Sequence, residues 1–443
     1  MTTTYRTYQP NQTLLLPPSV SEWLPEDHLA HVISDTVDTL DLSAFHARYE
    51  GDGRRNMPFD PLMLVKVILY GFATGVVSSR QVARKLKEDV AFRVLAAENF
   101  PAHRTIREFR QVHRDALAGL FVQVVKVAQE AGLLKLGRIG IDGTKMKANA
   151  SKRKAMSYAR MHSEEVRLKG EIAALLKQAE TTDQKEDRQL GVGCSGDELP
   201  AELARRETRL ATIQAAKARL EARQREADEK AGRKPGDDQP GSGKRGRAFK
   251  RPLGEPKPDA QENFTDPDSR IMPTTHGWQQ AYNAQAAVDE SLLIVAATVN
   301  NMASDCNELL AVLEQTQATL GQSPAMLLAD AGYASEANFS ALERAHQPAC
   351  VALGREGKST SRTIDAQTHP ATARMHTRMQ SEEGKAHYRR RKTLPEPVFG
   401  WIKSAVGITG FSRRGLDNVK AEWPLICAAM NLRRMHKMGW TPA

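Results

Sequence analysis

The chain is short of cysteine and of aromatic residues and has no long apolar run, and each shortage removes a class of protein. Its four cysteines (Cys194, Cys306, Cys350 and Cys427) lie far apart and form no CxxC pair. That argues against a disulfide framework and against a zinc site, and it suits a reducing compartment. No stretch of about eighteen apolar residues occurs, so no membrane span is indicated. The first residues, MTTTYRTYQPNQ, lack the basic start and apolar core of a secretion signal. A cytoplasmic, nucleoid-associated setting is therefore expected. Aromatic residues make up only 6% of the 443 residues, but hydrophobic residues make up 40%, enough for real cores in two or three domains. Positive charge is in excess: 63 Lys and Arg against 53 Asp and Glu, a net charge of +10. Such a balance favours polyanions, with nucleic acid the default partner; a basic protein with no such partner is the plain alternative.

The first third of the chain reads as helical. In EWLPEDHLAHVISDTVDTLDLSAF, Leu29, Val32, Ile33 and Val37 recur at helical spacing. A Gly/Arg loop follows at 51–55. PLMLVKVILYGFATGVVSS is apolar but too short and too Gly-broken to cross a bilayer. SSRQVARKLKEDVAFRVLAA opens with serines fit to cap a helix. PAHRTIREFRQVHRDALAGLFVQVVKVAQEAG predicts one long helix ending in Gly132. Together these resemble a helix-turn-helix-style unit. Arg104, Arg107 and Arg114 fall near one face, opposite Ile106 and Phe109. That face suits a DNA groove or phosphates, and equally the solvated side of an ordinary bundle.

The period then changes. Ile139 and Ile141 alternate with smaller residues, predicting a strand over 137–148. From Met156 to about Lys230 two charged helical stretches predict an antiparallel hairpin, either a dimerising coiled coil or an arm packed on itself. The glycine-rich GVGCSGDELP would be its turn. Residues 231–263 are rich in Pro, Gly and Lys/Arg, which predicts disorder. Lys244, Arg245, Arg247, Lys250 and Arg251 are suited to DNA phosphates or to plain solvation. QAYNAQAAVDESLLIVAATVNN predicts two strands about an Asp289–Ser291 turn. A helix capped near Ser304, the short strand AMLLADAG, the helix SEANFSALERA and the strand ACVALG follow. Residues 355–385 read as irregular, and NVKAEWPLICAAMNLRRM reads as a buried helix despite Pro424.

Three acids stand out against this background: Asp142 in RIGIDGTKMKA, Asp330 in AMLLADAGYAS and Glu396 in RRRKTLPEPVFGWIK. Asp-Gly alone is also a common turn. An acid directly after MLLA is costly to bury unless a cation offsets it. Glu396, between two prolines, reads as the opening of a helix, where the dipole would favour an acid regardless. As a set, two aspartates at strand ends and a helical glutamate suit hard divalent cations. Two metals about 3.5–4 Å apart can activate a hydroxyl and stabilise a leaving oxygen. Tyr388, Arg391, Lys392 and Lys403 surround the last acid, with Lys403 about two helical turns after Glu396 on the same face.

These motifs, with LGRIGIDGTKMKANAS, DPDSRIMPTTHGWQQAYNAQAAVD, LLADAGY, EPVFGWIK and the N-terminal PFDPLMLVKVILYGFATGVVSSRQ and HRTIREFR, resemble bacterial insertion-sequence transposases of the DDE type, most closely the eleven-eighty-two family. The resemblance implies an α/β fold: an RNase H-like mixed sheet flanked by helices, with an all-α N-terminal domain and a long helical-hairpin insertion. The implied division is 1–134 for N-terminal DNA binding, 135–155 and 264–443 for the catalytic domain, 156–230 for the hairpin and 231–263 for the linker. Asp142, Asp330 and Glu396 would be the metal-binding triad, with two Mg²⁺ (or Mn²⁺) per active site. The activity would be cleavage at transposon ends and joining to target DNA. Terminal inverted repeats and target DNA would be the partners, with a homodimer or higher oligomer on DNA. Relatives carry a tyrosine–arginine–glutamate–lysine pattern that Tyr388, Arg391, Glu396 and Lys403 resemble. The Tyr and Arg sit one residue further from the Glu than usual, so Lys392 holds the expected arginine place. Arg104 and Arg107 join these as DNA-binding residues. The rival readings are a catalytically silent DNA-binding relative and a stand-alone metal-dependent nuclease.

Overall fold

The computed structural model describes residues 19–49, 57–190, 198–234, 251–274, 277–354 and 364–442. The Gly/Arg loop at 51–55, Cys194 and the basic residues Lys244, Arg245, Arg247 and Lys250 lie outside them. Seven helices come first: α1 (Leu29–Asp38), α2 (Ser43–His46), α3 (Pro61–Ala73), α4 (Ser79–Glu88), α5 (Val90–Leu95), α6 (His103–Val112) and α7 (Arg114–Glu130). Among the described residues no strand interrupts them. Asp60 starts α3 by accepting the Leu62 N–H, and Pro61 stands in its first turn, where a missing N–H costs nothing. That helix is buried almost all round, as its unbroken apolar run requires.

The single long helix expected from His103 to Gly132 is two, because His113 leaves helical geometry at φ −99° and ψ 27°. Its ring is buried against Phe45 and Phe109. Arg114, expected beside Arg104 and Arg107, instead opens α7 and pairs with Asp115 at 3.0 Å.

Eight strands follow: β1 (Arg138–Lys147), β2 (Ala155–Ser157), β3 (Gln261–Asn263), β4 (Arg270–Thr274), β5 (Gly277–Val288), β6 (Ile294–Asn300), β7 (Met326–Ala329) and β8 (Ala349–Val351). The main sheet runs β4-β5-β1-β7-β8, with β6 also paired to β5. β5 is antiparallel to β1, β4 and β6, whereas β7 and β8 run parallel to β1. β2 and β3 form a small ribbon at the base of the hairpin α8 (Tyr158–Leu190) and α9 (Glu198–Lys230). Met161 and Leu168 on one arm meet Ile213, Ala216 and Leu220 on the other in a core of their own.

Two expectations of disorder or irregularity give way to structure. Residues 251–263 contain β3, and the Gly254 N–H donates to the buried Asp228 carboxylate at 3.0 Å. Residues 364–389 hold α12 (Pro370–Gln380) and α13 (Glu382–Arg389). Glu336, at the start of α11 (Glu336–Arg344), supplies what α12 needs: its carboxylate accepts the N–H groups of Ala371 and Thr372 at 3.0 and 2.9 Å. Ser381 caps α13. The helix expected from Ser304, α10 (Leu309–Leu320), starts five residues later, since Asp305 is engaged elsewhere.

The last elements are α14 (Pro395–Gly400), a π turn at Trp401–Ala405 and α15 (Leu416–Lys437). α15 keeps Pro424 within a buried helix. It packs on β6 by one side and on α3 and α7 by the other. Sheet and N-terminal helices therefore share one apolar core.

Candidate active site

Asp142 was expected to end a strand, but β1 continues five residues beyond it to Lys147. What ends there is the parallel pairing with β7, whose last register pair is Ile141 with Ala329. The next residue on each strand is an aspartate. Asp142 and Asp330 therefore stand side by side on strands about 4.8 Å apart. Asp142 accepts the Gly143 N–H at 2.8 Å, and Asp330 accepts the Gly332 N–H at 2.8 Å. Burial, with Asp330 and then Asp305 nearby, pushes the Asp142 carboxyl up to about 6, while the Gly143 N–H and Arg391 pull the other way.

Glu396 arrives from the far end of the chain. Gly140 admits it: a Cβ there would lie 2.9 Å from Pro395 Cδ and 3.1 Å from Leu394 Cβ. The first turn of α14 therefore rests directly on β1. Arg391 spans the acids, with Nη1 3.4 Å from Asp142 Oδ2 and Nη2 3.3 Å from Glu396 Oε1. Its guanidinium lies 5.8 Å from the Tyr388 ring. Arg391 is buried and Lys392 exposed, so Arg391, not Lys392, stands against the acids.

Lys403 was expected to follow Glu396 along one regular helix. A π turn intervenes, and the Lys403 ammonium donates to Thr144 Oγ1 at 2.5 Å and to the Lys145 carbonyl at 3.0 Å. Burial, then Lys145, lowers its pKa. Arg104 and Arg107 lie on the exposed side of α6, opposite buried Ile106 and Phe109.

Sequence reasoning missed a fourth acid, Asp305. Its Oδ1 accepts from Asn283 at 2.6 Å, Gln285 at 2.7 Å and Lys145 at 3.1 Å. A Cβ on Gly143 would meet this oxygen at 2.6 Å, which is why glycine follows Asp142. The Tyr333 hydroxyl donates to Gln285 Oε1, and the Trp423 indole donates to the Gln285 carbonyl at 2.8 Å. A signal was available: Asn283 and Gln285 alternate with Ala284 and Ala286 in the second half of β5, and buried amides require partners.

Among the described residues no group of three His, Cys, Asp or Glu side chains is gathered closely enough to hold a metal ion. Arg391 stands between Asp142 and Glu396 instead. The donor set still fits a hard divalent cation: it is carboxylate oxygen throughout, and Asp142 carries a raised pKa that a nearby cation would relieve. The two Arg391 contacts are long, and its buried Nε has no partner among the described residues.

The fold and site define an α/β protein with an acidic centre where two adjacent parallel strands part, rimmed by basic side chains. Residues 345–436 match a family model described as a transposase DDE domain, and residues 18–112 match one described as a transposase domain. Together the two matches indicate an insertion-sequence DDE transposase family. No curated protein and no solved structure matches it. The first match includes Arg391, Glu396 and Lys403; Asp142 and Asp330 fall outside both, and Arg391 is what links Asp142 to Glu396.

Proposed function

We propose that this transposase cuts the ends of its element and joins them to target DNA by phosphoryl transfer at Asp142, Asp330 and Glu396. The observation that carries the reading is the pair of aspartates where β1 and β7 part, with α14 seated on Gly140 beside them. The strand order, three antiparallel strands continued by two parallel ones, supports an RNase H-like catalytic unit. In this reading 1–134 is the DNA-binding part and 156–230 an inserted hairpin, and the chain works as a homodimer or higher oligomer on DNA in the cytoplasm.

Asp142, Asp330 and Glu396 would hold two Mg²⁺ or Mn²⁺ ions, which would supply activation of a hydroxyl and charge neutralisation at the phosphodiester. The protein's own groups do the rest. Arg391 releases its long contacts to the acids and turns to a phosphate. Lys403 and Lys145 hold a neighbouring phosphate beside β1, and Tyr388 supports the guanidinium of Arg391. Asp305, with Gln285 and Asn283, keeps the backbone at Gly143 in place.

The test is cleavage and strand joining on a labelled duplex carrying the inverted repeats that flank the gene. Asp142→Asn, Asp330→Asn and Glu396→Gln should each abolish both steps in Mg²⁺ while leaving DNA binding intact. Undiminished activity in any one of them refutes the triad. Cleavage without joined product would instead favour a nuclease.

A further inference from the structure

A cleft of about 970 Å³ lies between the starts of α4 and α6 and the segment 407–414. Its walls carry Arg80, Arg107, Lys147, Lys154, Arg413 and Arg414, and no carboxylate. Arg80, Arg107, Lys147 and Lys154 are exposed and make no ion pair among the described residues. Unneutralised cations crowded into a concavity repel one another, so the arrangement is tenable where an anion is taken up.

Two further features point the same way. Both α4 and α6, ten residues each, begin in this cleft without a side-chain cap, at Ser78 and Ala102. Their first N–H groups are free to meet phosphate oxygens. A second cleft, walled by Gly143, Lys145, Lys147, Lys403 and Thr409 among others and again free of carboxylates, adjoins the acidic centre. Lys147 and Thr409 wall both clefts. The wall is fixed by the Lys147 N–H donating to the Thr409 carbonyl at 3.1 Å and the Phe411 N–H donating to the Lys147 carbonyl at 2.9 Å.

We infer that the two clefts form one continuous track for a DNA backbone, running from the acidic centre along β1 to a phosphate grip between α4, α6 and 407–414. The inference rests on the transposase reading and deepens it. Five residues of strand separate Asp142 from Lys147, roughly 17 Å at about 3.3 Å per residue. At about 3.4 Å per nucleotide along a duplex, the grip begins about five nucleotides from the bond that is cut.

The test uses the full chain carrying Asp142→Asn, so that binding is read without cutting. Arg80→Ala, Arg107→Ala and Lys154→Ala are added together, with Lys126→Ala, Lys177→Ala and Arg205→Ala as an exposed control set. On a short duplex of arbitrary sequence, the cleft variant should bind about 10–100-fold more weakly at physiological salt. Its dependence of log affinity on log salt should fall by about one per lost contact. The control set should bind as the parent does. Equal binding by cleft variant and parent, or equal loss in the control set, overturns the track. With the cutting-competent chain, single methylphosphonate replacements should impair cleavage most strongly about five nucleotides from the cut. Sensitivity confined to the cut itself also overturns it. Loss of binding in the cleft variant by a chain that never cuts DNA would leave the track standing and remove the catalytic reading instead.

Discussion

Gly140→Ala tests how the glutamate reaches the aspartates. The added methyl would stand 2.9 Å from Pro395 Cδ and 3.1 Å from Leu394 Cβ, against an ordinary contact of about 3.5–4.0 Å. Neither neighbour yields easily. Pro395 is a ring in the first turn of α14, and Leu394 is buried at 4% exposure. Relief therefore requires α14 to move off β1 by several tenths of an ångström. Overpacking of this kind costs about 1–3 kcal/mol. For cooperative unfolding of a chain this long, about 2.1 cal/mol/K per residue makes that a fall of about 1–3 °C in Tm. The functional effect should be larger, because misplacing a reacting group by about 1 Å costs roughly 100-fold in rate. The assays are denaturant unfolding and single-turnover cleavage, with DNA binding as a control that should not change. Leu394→Ala alone should cost about 2–5 kcal/mol by leaving a cavity. Leu394→Ala keeps its Cβ and leaves Pro395 in place, so the clash with Gly140→Ala persists and the double variant should be close to additive. Wild-type stability together with wild-type cleavage in Gly140→Ala would refute the claim that this glycine seats Glu396.

Burial pushes the Asp289 carboxyl up to about 6 even though it accepts the N–H groups of Lys135, Ser291 and Leu293. With its folded pKa above the unfolded value, the stability tied to its protonated form is complete below about 4 and is lost as pH rises through 6. Denaturation midpoints should therefore show wild type losing about 1.4 kcal/mol relative to Asp289→Asn between pH 5 and pH 8. A constant difference across that range would contradict the assignment. Asn431, inside α15, donates to the Ile294 carbonyl and accepts its N–H, both at 2.8 Å. Asn431→Leu should cost about 2–4 kcal/mol in urea unfolding by orphaning two buried backbone groups. Arg110 donates to the Val77 carbonyl at 2.8 Å and to Ser412 Oγ at 3.0 Å, and lies 3.5 Å from buried Glu422. Arg110→Met should destabilise by about 3–5 kcal/mol, and Arg110→Met/Glu422→Leu should recover part of that loss, since the unpaired charge is then gone.

Local patterns were legible where one physical signal dominated. Leu29, Val32, Ile33 and Val37 specified α1 by period alone, and the alternation from Ile139 specified β1. The hairpin of α8 and α9 followed from its long charged helices, and β7 from its short apolar run before an acid. Boundaries failed where a side chain from a distant element decided them. His113 breaks a helix because its ring has Phe45 to pack on. α12 exists in a polar stretch that read as irregular because Glu336 satisfies its open N–H groups. Asp305, in the connection between β6 and α10, escaped notice because its partners Asn283 and Gln285 lie about twenty residues earlier, on β5.

From the sequence alone came the basic character, the kinds of local element and the three acids worth comparing, because charge, periodicity and local turn chemistry act between near neighbours in the chain. Tertiary structure decided which of these residues meet. Asp142 and Asp330 become neighbours only through the register of β1 with β7, and the first turn of α14, which carries Glu396, rests on the sheet because Gly140 leaves room for it. Arg391 rather than Lys392 faces the acids because the chain turns between α13 and α14. Register, close approach and burial are properties of segments far apart in the chain, and no local pattern encodes them.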